Sequence, residues 1–248
     1  MYHSAMEERD RQVSALRERL SAARTVSALT GSGISAESGL PTFRGVGGLW
    51  RTHRVEELAS PEGFARDPDL VWTWYNERRA VHAKVEPNAG HRALARLETL
   101  VPEFTLVTQN VDSLHHLAGS RNVCELHGNL REAWCNGCGA RRSLEPGVAF
   151  EQFDHECGGR FRPAVVWFGE ALPSEPWERA AAAVARSELL LVVGTSGLVQ
   201  PAASLATHFV GPETFVVEIN PEATPVSEHA DVVLRGSAAE ILPRLVPT

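Results

Sequence analysis

Long apolar runs are missing from this 248-residue chain; its longest run of large aliphatics, Leu189 to Val193, is far too short to cross a bilayer. The opening MYHSAMEERDRQ is charged and polar and lacks the apolar core of a signal peptide, so a cytoplasmic protein with no membrane partner is expected. Basic clusters are missing too. The 24 Lys and Arg are scattered among 31 Asp and Glu, for a net charge of −7, which argues against a nucleic-acid surface. Cysteine is scarce. Of the four, Cys135 and Cys138 form a C-x-x-C pair, which in a reducing compartment is more often a metal site or a redox pair than a structural disulfide. There is no internal repeat and no low-complexity tract. What remains, 43% hydrophobic and 22% charged, is ample for one globular unit with insertions.

The segment to Ala23 carries Val13, Leu16 and Leu20 at helical spacing and predicts an amphipathic helix. Short apolar runs then recur at Thr25–Leu29, Phe104–Thr108, Ala164–Phe168, Leu189–Val193, Phe215–Ile219 and Val232–Leu234. Helical patterns lie between several of them, at Ala89–Leu100, Trp177–Ser187 and Pro201–Phe209. Buried strands alternating with helices predict an α/β fold, a doubly wound parallel sheet of Rossmann-like type. Two stretches break the rhythm. Gly45 to Val85 is rich in Trp, Arg and Pro, and Gly128 to Pro163 holds three of the cysteines. Both read as insertions, giving a main domain of residues 1–44, 86–127 and 164–248 and a smaller one of 45–85 and 128–163.

Ligands of open parallel sheets bind beyond the carboxyl ends of the strands. Thr25–Leu29 is followed by Thr30-Gly31-Ser32-Gly33-Ile34-Ser35-Ala36, of G-x-G-x-x-G/A form, which suits a pyrophosphate. The other strand ends carry Gln109-Asn110-Val111-Asp112, Gly194-Thr195-Ser196-Gly197 and Asn220. Each alone reads equally as a turn or a helix cap; together they describe one dinucleotide-sized crevice. A hydride-transferring enzyme would place a second strand soon after the glycines. Here Glu37 to Gly45 is a Gly/Pro-punctuated loop in which Phe43 could shield a reactive sugar carbon and Arg44 could neutralise phosphate or ribose oxygens. Most of the ten histidines have ordinary readings, His91 packing in a helix after Pro87-Asn88 among them. His127, between an apolar segment and the cysteine insertion, is the candidate base. In WYNERR, Tyr75 and Arg78 stand three apart on a predicted helix, where they either converge on a small anion or lie on a solvated basic face.

Taken together, GSGISAESGLPTFRG (31–45), TQNVD (108–112), LHG (126–128), VVWFGE (165–170), GTSGLVQPAA (194–203) and EIN (218–220) resemble the sirtuins, the NAD-dependent protein-lysine deacylases. The resemblance implies removal of acyl groups, among them succinyl, malonyl and acetyl, from lysine side chains of protein partners, with nicotinamide, free lysine and O-acyl-ADP-ribose as products. It implies NAD across Gly31, Ser32, Gly33, Ser35, Glu37, Thr42, Phe43, Arg44, Trp50, Gln109, Gly194, Thr195, Ser196, Asn220 and Ala238. Asn110 and Asp112 would sit at the nicotinamide pocket, and His127 would be the general base on the ribose hydroxyls. Val166, Trp167, Phe168, Gly169 and Glu170, with Gly197 and Val199, would pair with the substrate backbone. Ser32 stands where the family usually has Ala.

The family also implies a structural zinc on four cysteines. Cys135, Cys138 and Cys157 match; the fourth position has none, leaving Asp154, at the C-x-x-C spacing, or the neighbouring His155 to complete the site, or else a metal-free loop. Cys124 reads as a buried thiol. In class III sirtuins a Y-x-x-R pair binds the carboxylate of succinyl- or malonyl-lysine, and Tyr75 to Arg78 has that form, while Arg79 keeps the solvated reading. Transfer of ADP-ribose, simple NAD hydrolysis and non-catalytic NAD sensing are the rival functions.

Overall fold

The computed structural model describes residues 2–42 and 58–246; the expected cofactor residues Phe43, Arg44 and Trp50 lie outside them. Helix α1 (Tyr2–Ala22) buries Val13, Leu16 and Leu20 along one stripe. Strand β1 (Thr25–Thr30) leads into a 3-10 segment, Ser32–Ser38, which ends at Gly39 with φ 94. A dinucleotide fingerprint predicts an α-helix at that point; the turn here is tighter. Helices α2 (Pro61–Arg66) and α3 (Pro68–His82) follow, each opened by a proline in its first turn and capped by a side chain, Ser60 and Asp67 respectively. Helix α4 (Ala89–Leu100) is capped by Asn88, whose backbone N–H donates back to His91 Nδ1, so His91 packs at the helix start as expected. Then come β2 (Glu103–Thr108), α5 (Leu114–Ala118), β3 (Val123–Glu125), β4 (Gly128–Cys135), β5 (Arg141–Ser143), β6 (Phe161–Val165), α6 (Ser174–Arg186), β7 (Leu189–Val193), β8 (Phe215–Ile219), β9 (Val232–Leu234) and α7 (Ala238–Leu245).

Six strands form a wholly parallel sheet in the order β3-β2-β1-β7-β8-β9. Strand β7 shows why it is covered on both sides. Leu189, Leu191 and Val193 face the core built with α1, α4 and α7, while Leu190 and Val192 face a second core that includes Ala180 and Val184 of α6. The chain reverses direction across the sheet between β1 and β7, so the ligand-binding switch point lies at their carboxyl ends.

A separate antiparallel sheet, β5-β4-β6, packs with α2 and α3 around a third core containing Trp72, Tyr75, Phe150, Phe161 and Trp167. Trp72 Nε1 donates to Phe161 O at 2.9 Å and its ring stacks on Phe153. The apolar run expected as a parallel strand at Ala164–Phe168 belongs to this second sheet instead. Gly128 lies so close to β6 that a Cβ there would meet Ala164 O at 2.0 Å, and residues 161–165 pair antiparallel with β4. Strand β3, only three residues long, carries too little pattern to be seen in the sequence. The helix expected at Pro201–Phe209 is a 3-10 segment, Ala202–Ala206, with Ser204 Oγ donating back to Pro201 O and so competing with helical bonding.

Arg79 overturns the solvated reading. It is 5% exposed and donates from Nε to Leu130 O, from Nη1 to Val148 O and Asn76 Oδ1, and from Nη2 to Glu145 O, all within 3.1 Å. Its guanidinium therefore ties α3 to the stretch between Gly128 and Pro163. An Arg79→Met variant strips three backbone carbonyls of their donor at once. A loss of about 3 kcal/mol is expected, read as a fall of roughly 6–12 °C in Tm by differential scanning calorimetry.

Candidate active site

Two glycine turns meet at the switch point. Gly33 N donates to Gly194 O at 2.8 Å and Gly31 N to Val193 O at 3.0 Å. A Cβ on Gly33 would stand 2.7 Å from Gly194 Cα, and Gly194 itself has φ +58, so neither position accepts a side chain. Around this contact the strand ends are cross-linked. Gln109 Nε2 donates to Thr195 Oγ1 at 2.9 Å, and Asn220 Nδ2 donates to Thr195 O at 2.8 Å, which joins the ends of β2, β7 and β8. Ser196 and Thr42 are half-buried beside them.

Beneath the crevice lies a buried polar network whose proton directions can be followed bond by bond. Thr30 Oγ1 donates to Thr108 Oγ1 at 2.8 Å, so His115 Nε2, 2.9 Å from Thr30 Oγ1, is the donor of that pair. Ser35 Oγ donates to Asp112 Oδ2 at 2.7 Å and accepts from Asn110 Nδ2 at 3.2 Å; Asn110 Nδ2 also reaches Gly31 O. Leu114 N holds the other oxygen of Asp112. Burial raises the Asp112 pKa above its ordinary value, partly offset by the hydrogen bonds from Leu114 and Ser35. Burial lowers His91 to about 4 and puts His115 well below its usual value, so both rings are neutral.

His127 Nδ1 lies 2.9 Å from Gln109 O, and because a carbonyl only accepts, Nδ1 carries the proton and Nε2 keeps the lone pair. Burial lowers the pKa of this ring, with the Gln109 carbonyl opposing the shift. Just beyond, Val166 N donates to His127 O and Phe168 N to Ala59 O. Trp167 is 3% exposed. Glu170, expected to meet substrate, has both oxygens engaged by Arg162, and Oε2 also accepts from Trp167 N. Arg162 lies 3.4 Å from the Trp167 ring centroid, so Glu170 shapes the loop from within. Glu37, expected at the cofactor, is exposed and accepts from Ala239 N in the first turn of α7, next to the buried Ala238. Gly169 and Gly197 have φ +88 and +66, and the Val199 carbonyl accepts from Ala203 N.

A cavity of about 210 Å³ opens beside Asn110 and Asp112. One wall is the nucleotide side, Ser32 and Ser35 with those two residues; the other is a face of α3, where Trp74, Arg78, Val81 and His82 follow helical spacing. The Arg78 guanidinium sits 4.6 Å from the Trp74 ring centroid, and burial lowers its pKa. Tyr75 is not part of the cavity wall. Its hydroxyl accepts from Trp167 Nε1 at 2.8 Å, and burial raises its pKa, so it stays protonated.

Cys135, Cys138, Cys157 and His155 bring four donor atoms within 4.8 Å of one another. The set fits a tetrahedral zinc. Asp154, the first expectation for the fourth ligand, turns away: it is 85% exposed and its Oδ1 pairs with Arg160 Nε at 3.1 Å, in a bridge that directs the next residue, His155, towards the sulfurs. Cys124 is buried elsewhere, as expected.

The Sir2 family model matches residues 31–201. This chain belongs to the Sir2 family. A Pyrobaculum aerophilum protein called NAD-dependent protein deacylase 2 is 50% identical, with 92% of each chain covered. A Thermus thermophilus NAD-dependent protein deacylase is 48% identical over 93% of this chain and 92% of its own. A solved Sir2 homologue with NAD superposes with a TM-score of 0.87 at 45% identity, over 94% of this chain and 92% of the other. A Sir2 complex with a p53 peptide and NAD+ gives 0.79 at 30% identity, over 91% and 93%. In this Sir2 chain, sequence reasoning missed His82 on the cavity wall, although its i+4 spacing from Arg78 would have found it. It also missed the His91–His115 pair, whose ring centroids lie 4.9 Å apart and whose partners Ser35 and Thr30 come from a distant stretch of chain. Elemental analysis is expected to find one zinc per chain. His155→Ala should reduce zinc retention on dialysis, and Asp154→Ala should leave it at the wild-type level.

Proposed function

We propose that this Sir2-family chain is an NAD-dependent protein-lysine deacylase that prefers acyl chains ending in a carboxylate, succinyl and malonyl, over acetyl. The observation that carries the preference is Arg78, a buried cation on the wall of the cavity that Asn110 and Asp112 share. A guanidinium at a cavity wall offers several N–H donors in a fork that matches a carboxylate, and a terminal carboxylate is the part of these acyl groups that acetyl lacks. Tyr75, the expected partner of Arg78, lies outside the cavity wall with its hydroxyl accepting from Trp167 Nε1, so the reading rests on Arg78 and not on the pair.

The residues fit NAD. Four strand ends with small or hydrogen-bonding groups surround a glycine contact too tight for side chains, and Asn110 and Asp112 offer an amide and a carboxylate to a nicotinamide amide. Bound NAD supplies an electrophilic ribose carbon, exposed by loss of nicotinamide, for attack by the acyl oxygen of a modified lysine. His127 then accepts a ribose hydroxyl proton at Nε2, the nitrogen left unprotonated by the bond to Gln109. Trp167 and Phe168 on one side and Gly197 and Val199 on the other flank the substrate chain, which enters between them as an added strand. The relatives' names as NAD-dependent protein deacylases support the same chemistry.

His127→Tyr is expected to bind NAD and to keep less than about a hundredth of wild-type turnover, since general bases supply roughly 10²- to 10⁴-fold. Because burial lowers the His127 pKa, the base stays unprotonated into acid, so the acid limb of kcat/KM should fall below pH 6.5. Arg78→Met should abolish nicotinamide release driven by a succinyl-lysine peptide and spare release driven by an acetyl-lysine peptide. If succinyl removal survives Arg78→Met, the carboxylate preference is wrong.

A further inference from the structure

One turn of α3 beyond Arg78, the same cavity wall carries His82. Residues 74, 78, 81 and 82 share the face of the helix that the cavity touches, so an anion held by Arg78 lies within reach of the next turn, about 5.4 Å along the axis. Among the described residues, His82 Nδ1 is a buried ring nitrogen with no hydrogen-bond partner. Such a group in a cavity wall is unfavourable unless something that enters the cavity satisfies it.

The charges around it narrow what that something is. Arg78 and Glu77 flank it on its own helix, Asp112 faces it across the cavity, and Arg79 and Arg131 line a smaller cavity of about 30 Å³ on its other side. Glu77 is exposed and Asp112 is held by Ser35 and Leu114, while the Arg78 charge bears directly on the His82 ring, so an anion is the fitting guest beside the two. A carboxylate has two oxygens and room for about four hydrogen bonds, more than one guanidinium edge supplies. Tyr75, the partner that the Y-x-x-R form suggests for Arg78, stands outside the wall with its hydroxyl against Trp167.

We propose that His82 is a second specificity-determining residue, donating a hydrogen bond to the terminal carboxylate of the acyl chain beside Arg78. The inference rests on the dicarboxylic reading above. In the free protein, burial and then the Arg78 charge lower the His82 pKa to about 3, so its ring is neutral and offers one N–H. An arriving carboxylate offsets the Arg78 charge and favours the donor form of the ring. Acetyl-lysine has no oxygen at this depth and gains nothing from it.

The test is steady-state nicotinamide release on succinyl- and acetyl-lysine peptides of one sequence, with wild type, His82→Met, His82→Gln and Arg78→Met. His82→Met is expected to lower kcat/KM on the succinyl peptide about tenfold more than on the acetyl peptide, mostly through KM, and His82→Gln, which keeps a donor, to recover most of the loss. Equal losses on both peptides, or no loss, overturn the proposal. If Arg78→Met abolishes succinyl removal while His82→Met spares it, only the role of His82 fails. If wild type shows no preference for succinyl, or if Arg78→Met leaves it intact, the dicarboxylic reading fails and takes this one with it.

Discussion

Everything at the cofactor end hangs on the backbone contact between Gly33 and Gly194. It joins the loop after β1 to the loop after β7 where the sheet changes direction, and it tolerates no Cβ from either side. With that contact made, Thr195 lies where Gln109 and Asn220 both reach it, so three strand ends become one rigid rim. A single methyl group at Gly33 would pry the rim open and displace every donor on it. The glycines are thus explained by packing between two loops before any ligand is considered.

The polar layer under the rim works by direction. Ser35 donates to Asp112 and accepts from Asn110, and Thr30 donates to Thr108 while accepting from His115. Each hydroxyl is both donor and acceptor, so the orientation of one fixes the next. The same logic sets the tautomer of His127 through Gln109, a residue that also belongs to the rim. The geometry of the base and the geometry of the crevice therefore share one amino acid.

Much of this was legible from the sequence. The parallel sheet showed itself in apolar runs buried on both faces, and β7 and β8 have the bounds their patterns suggest. The site residues were legible because topology forces strand ends together, which makes four weak local signals into one. Three things were hidden. The run at 164–168 looks like another parallel strand, yet Ala164 and Val165 end a strand of the antiparallel sheet, paired with β4. Glu37 and Glu170 are acidic residues in motif positions, but the first meets the N-terminus of α7, contributed by remote chain, and the second folds back on Arg162 of the neighbouring strand. Asp154 has the ligand spacing that a pattern rewards, yet it pairs with Arg160, and it is His155 that lies among the three sulfurs.

Helix α3 has two duties on adjoining faces. Arg78 and His82 roof the cavity on one side, while Arg79, between them in sequence, is fastened to Leu130, Glu145 and Val148. Those carbonyls belong to the same stretch of chain that the cluster of Cys135, Cys138, His155 and Cys157 gathers. The cluster thus acts as an anchor at a distance: whatever loosens its loops slackens the guanidinium tether and lets the roof of the cavity drift. The nucleotide rim, secured by its own glycines, does not share that dependence.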